Sequence, residues 1–133
     1  YRCDAEVAKI TTDLERFCRH AVVHDCKELE NFLLQPLPIE RAIKKRVKEK
    51  QQSDPSSPSF GEDISALLMQ LADGLKNQVQ ARIVASRQQF ERDSKSGLHN
   101  VTISQAAMDE FDKQWASVEN RMKIVPGKEV FPR

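Results

Sequence analysis

The feature that most constrains this chain is an apolar residue every third or fourth position over nearly its whole length. Between residues 64 and 90 the apolar positions are Ile64, Leu67, Leu68, Leu71, Leu75, Val79, Ile83 and Phe90, the spacing that places side chains on one face of an α-helix. From the N-terminus a second series runs Cys3, Val7, Ile10, Leu14, Cys18, Val22, Cys26, Leu29 and Leu33, a mean step of about 3.75, again helical and wider than the 3.5 of a left-handed coiled coil. A third series, Met108, Phe111, Trp115, Val118, Met122 and Val125, alternates steps of three and four and reads as a coiled-coil seam. Only four glycines occur in 133 residues, too few for the tight turns of a β-protein. The expectation is therefore all-α.

Punctuation divides the stripes. Gln35 is followed by "PLP", which predicts the end of a first core helix over residues 3–35, Pro36 and Pro38 lacking backbone donors. A second helix, 39–51, has a thin stripe of Ile39, Ile43 and Val47 under six basic side chains, Arg41, Lys44, Lys45, Arg46, Lys48 and Lys50. "QQSDPSSPSFG" is rich in Ser and Pro and reads as a mobile linker. Ser59 with Glu62 and Thr102 with Gln105 make two capping boxes, predicting the starts of a third helix running to about residue 94 and a fourth running to "VPG". Gly97 is placed for a left-handed C-cap with Leu98 as its apolar contact. The predicted architecture is an antiparallel helical bundle of four main helices, with the first, third and fourth forming the core. One domain spans 1–133: a hairpin 1–51, a flexible linker 52–61, a second hairpin 62–125 and a tail 126–133 that carries Val130 and Phe131. The N-terminus lacks an initiator Met and a signal pattern, as expected of a piece of a longer chain.

Three cysteines cannot all pair, and on one helix Cys18 and Cys26 would lie about 12 Å apart, beyond disulfide reach. A reducing compartment, cytoplasm or nucleus, is expected, with both thiols buried in the stripe. In that compartment the glycosylation pattern at Asn100 is inert. His20 and His24 are four apart, but on a helix they would face away from the cysteines, so no metal site is expected. There is no serine-nucleophile, zinc-protease or phosphate-loop motif, and the neighbouring carboxylates Asp109 and Glu110 read as helix-end charges. The chain is expected to be neither an enzyme nor a cofactor carrier.

Two features remain. Phe111, Trp115 and Met122 lie within about 60° on one helix and form an apolar ridge suited to a partner helix or a second copy. The expected function is accordingly a non-catalytic protein-interaction or self-association scaffold module within a larger intracellular protein. The alternative uses the basic patch of 41–50 to bind nucleic acid or an anionic membrane. Net charge is only +1, so such binding would be local, and no aromatic residue for base stacking lies between Arg41 and Lys50. "KKRVK" also fits a nuclear-import pattern, and Ser57, before Pro58, is a phosphorylation candidate. No stretch is long and apolar enough to span a bilayer.

Overall fold

A computed structural model describes residues 2–130, and every regular element in them is helical: α1 (Asp4–Glu15), a 3-10 turn (Leu29–Leu33), α2 (Pro36–Ser53), α3 (Ile64–Asp93), α4 (Asn100–Trp115), α5 (Val118–Ile124) and α6 (Gly127–Val130). The tail residues 131–133, Phe131 among them, lie outside the described residues.

The all-α expectation holds, but the first half departs from the expected hairpin. The helix predicted over 3–35 stops at Glu15, and residues 16–28 are irregular. The run "FCRHAVVHDC" explains the stop: aromatic, β-branched, Cys and His side chains have weak helix propensity, and here no broad apolar face compensates. None of the residues of α1 is buried, so the first helix is not part of the core. The "PLP" segment starts a helix rather than ending one. Pro36 occupies the first turn of α2, where a missing N–H breaks no intrahelical bond and the fixed φ favours entry. α2 packs on α3 rather than on α1, and Ile39 and Ile43 reach the edge of the core.

The expected linker is also more structured than its composition suggests. Gln52 and Ser53 complete α2, and Asp54 then caps a turn, accepting from the Ser56 amide at 3.0 Å and from both the Ser56 and Ser57 hydroxyls. Phe60 packs against the core. Helix α3 begins behind Asp63, whose carboxylate accepts from the amides of Ser65 and Ala66 at 2.8 and 3.2 Å, so Asp63 rather than the Ser59–Glu62 box is the cap. Beyond α3, Lys95 and Gly97 turn the chain with φ of 52° and 72°. Gly97 is thus left-handed as expected, but Leu98 remains exposed.

α3 and α4 run antiparallel, joined along their length by Gln88 to Ser104, Arg87 to Glu110 and Trp115 to Asp73. The N-cap of α4 is His99 rather than Thr102, its Nδ1 accepting from the Val101 amide at 3.4 Å. The expected fourth helix breaks after Trp115, and Ser117 caps the separate α5. The break is held by Arg121. Its Nε and Nη2 donate to the Trp115 carbonyl at 3.0 and 2.8 Å, satisfying an acceptor that a continued helix would have paired. The guanidinium also lies 4.7 Å from the Trp115 ring centre and bonds Asp73 at 2.8 Å. One core results, built from Leu34, Ile64, Leu68, Ala72, Val79, Phe111, Trp115, Met122, Val125 and Val130.

Candidate functional site

The ridge expected to meet a partner is inside the molecule. Phe111 is 0% exposed, and Trp115 and Met122 4% each; the rings of Phe111 and Trp115 pack at 5.0 Å, and the Trp115 indole donates toward Asp73. The change of direction between α4 and α5 also places Met122 on a different helix from the other two. As a docking face these three residues are therefore corrected to core: Phe111, Trp115 and Met122 fill the space under α3. Spacing alone did not separate the two roles, because a seam that fills a core and one that meets a partner share the same period.

A surface cleft adjoins Met122. Its making starts with Asn31, a buried residue of the 3-10 turn whose Nδ2 donates to the carbonyls of Met122 and Val125 at 2.6 and 2.7 Å, and whose Oδ1 accepts from the Glu28 amide at 3.0 Å. These bonds pin the turn against α5 across more than 90 residues of chain. The Lys27 amide adds a bond to the Lys123 carbonyl at 2.9 Å. Between the turn, the first residues of α2 and α5 lies a cleft of about 510 Å³ lined by Cys26, Phe32, Leu34, Pro36, Leu37, Val118 and Met122 among others. Two residues of its wall are themselves exposed, Leu37 at 64% and Phe32 at 45%, and the same 3-10 turn also carries the exposed Leu29 and Leu33.

Charge marks the rim. Lys123 Nζ is 3.0 Å from Asp25 and 3.5 Å from Glu119. The hydrogen bond from Lys123 holds the Asp25 carboxyl below the usual carboxylate range, and the same bond raises the Lys123 ammonium above the ordinary lysine value. Partial burial, then the Asp25 charge, pushes the Cys26 thiol up, so it favours the neutral form. Nothing here resembles an activated nucleophile.

On α2 the six basic residues do not form one patch. At 100° per residue, Leu37, Arg41, Lys44 and Lys48 fall within about 60°, with Lys45 about 40° further round, whereas Arg46 and Lys50 point elsewhere. Lys44 pairs with Glu40, and Arg46 with Glu49. Arg41, Lys45 and Lys48 are exposed and have no ion-pair partner among the described residues. Because Leu37 lines the cleft and Arg41 is one turn on, this cationic row continues directly from the cleft wall.

The other sequence candidates are less available. The Ser57 hydroxyl is buried and donates to Asp54 at 3.2 Å, so a kinase reaches it only after the turn opens. Cys18 is exposed rather than in a core stripe, Cys26 is half-buried, and Cys3 alone of the three is buried. His20 and His24 are exposed on irregular chain, and His24 meets the Phe32 ring edge-on at 5.7 Å. Among the described residues no cluster of three or more His, Cys, Asp or Glu side chains could hold a metal ion, and no helix is long and apolar enough to cross a membrane.

Comparison with family models, with characterised proteins and with solved structures finds no match for this chain.

Proposed function

We propose that the chain is a non-catalytic protein-interaction module that takes an apolar-faced helix of another protein into the cleft between the 3-10 turn, the start of α2 and α5. The observation that carries this reading is the cleft itself: about 510 Å³, with Phe32 and Leu37 of its wall standing partly open to solvent. A few large apolar anchors in a preformed groove are the usual means by which one protein captures a helix. A second copy fits this face less well. In a two-fold contact the partner face is the same face, whose carboxylates Asp25 and Glu119 already pair with Lys123, so it offers the cations of α2 no free acid.

The test is a selection from a displayed library of amphipathic helical peptides, with the full chain as bait. Leu37→Glu and Phe32→Glu serve as controls; both residues line the cleft and are exposed, so the fold tolerates the change. Peptides that bind the wild-type chain and neither variant are the expected result. If every recovered peptide binds all three equally, the cleft is not the docking site. If instead light scattering finds a dimer that Leu37→Glu dissolves, the occupant is a second copy.

A further inference from the structure

Resting on that reading, we infer that the partner helix is acidic: its apolar anchors enter the cleft while carboxylates on its flank run along Arg41, Lys45 and Lys48 of α2. Three observations converge. The cationic row starts one turn beyond Leu37, a residue of the cleft wall, so a single helix lying in the cleft continues over both surfaces. Arg41, Lys45 and Lys48 carry no ion pair within the described residues, so their charges are free to answer a partner's. And α2 concentrates cations, six basic residues against Glu40 and Glu49, while the chain as a whole is only +1. Complementary charge beside an apolar anchor selects among partners and speeds encounter more than it adds affinity.

The same row serves a membrane or a nucleic acid less well. The apolar surface is concave where it meets α5, a shape that a helix fills and a flat bilayer does not. No aromatic side chain lies among residues 41–50 to stack a base, and Phe32, in the cleft, is turned toward His24.

The experiment fixes Leu, Phe or Met at the anchor positions of a 16-residue displayed helix and draws the flanking positions equally from Glu, Gln and Lys. Binders that require Leu37 should be enriched in Glu along one flank. The best of them, synthesised, should bind the Arg41→Gln, Lys45→Gln, Lys48→Gln triple variant about tenfold more weakly, three exposed charge pairs being involved, and should weaken as sodium chloride rises. Arg41→Glu with Lys45→Glu should reverse the preference toward Lys-flanked peptides, a gain that a misfolded variant would not give. Binders that need Leu37 but show neither Glu enrichment nor loss on the triple variant overturn the acidic partner and leave the cleft reading standing. If no binder needs Leu37, both fall. Phosphatidylserine vesicles and a single-stranded oligonucleotide are run beside the peptides. Binding of either that the triple variant loses, without any Glu preference among peptides, assigns the row to lipid or nucleic acid instead.

Discussion

Asn31 shows how much of this architecture rests on single polar atoms. Its side chain amide satisfies two carbonyls of the C-terminal segment, and its oxygen satisfies the amide of Glu28, with the whole group buried. Asn31→Ala would leave three backbone groups without partners where water is largely excluded, and each such orphan costs more than the bond it lost had contributed. A loss of about 2 to 4 kcal/mol in urea-induced unfolding is expected; a change under half a kcal/mol would show that water replaces the amide freely. The cysteines give a second reading of local environment. Brief alkylation at pH 8 followed by peptide mass mapping should label Cys18 first. Cys26 should follow slowly, because its neutral thiol is favoured and the thiolate is what reacts, and Cys3 should be last because it is buried. Equal labelling of Cys18 and Cys3 would contradict the packing at the start of α1.

At the scale of elements, the sequence was most legible where the stripe was long and made of good helix formers. α3 lies close to its expected span because Ile64 to Phe90 combines period with Leu, Ala, Gln and Arg. Its cap differs from the expected Ser59 because Asp63, directly before the first apolar residue, competes for the same role. The N-terminal stripe had a similar period but no helix beyond Glu15, since several of its apolar positions were Cys and Val among histidines. Prolines misled in the opposite direction: Pro36 and Pro38 suit the first turn of a helix as well as the chain after one, and composition does not distinguish the two. The seam of 108–125 is helical and amphipathic as its spacing predicts, but it spans two helices, and the Arg121 bond at the break is a contact without a local signature. Within α3 one weak point is open to test. Gly74 is exposed in mid-helix, and a Cβ there meets nothing within 4 Å. Gly74→Ala should therefore stabilise the chain by about 0.5 to 1 kcal/mol, through the lower entropy of the unfolded state and better helix propensity. A lower melting temperature would mean that α3 bends at this residue in solution.

For the whole molecule, the candidate site was half legible. The basic row is local to α2 and can be read from residues 41–48, whereas the cleft joins residues 25–38 to residues 118–123, and no short-range pattern announces such a meeting. The same distance in sequence decides what holds the fold. The first helix contributes no buried residue, although Cys3 before it is buried against the α3–α4 hairpin, close to Ile83 and Gln114. The C-terminal segment contributes Met122, Val125 and Val130 to the core, and the Arg121 clamp besides. Two deletions should then behave very differently. Removing residues 1–15 takes away the 12 residues of α1, so the helical circular dichroism should fall in proportion. The unfolding free energy should drop by roughly 1 kcal/mol, about what burial of one small apolar side chain contributes. Removing residues 118–133 strips apolar surface from α3 and α4, orphans the Trp115 carbonyl and frees the 3-10 turn, and cooperative unfolding should be lost. If the N-terminal deletion instead abolishes the transition, then Val7 and Ile10 of α1 cover the core in solution, and α1 belongs to the packed unit rather than lying on it.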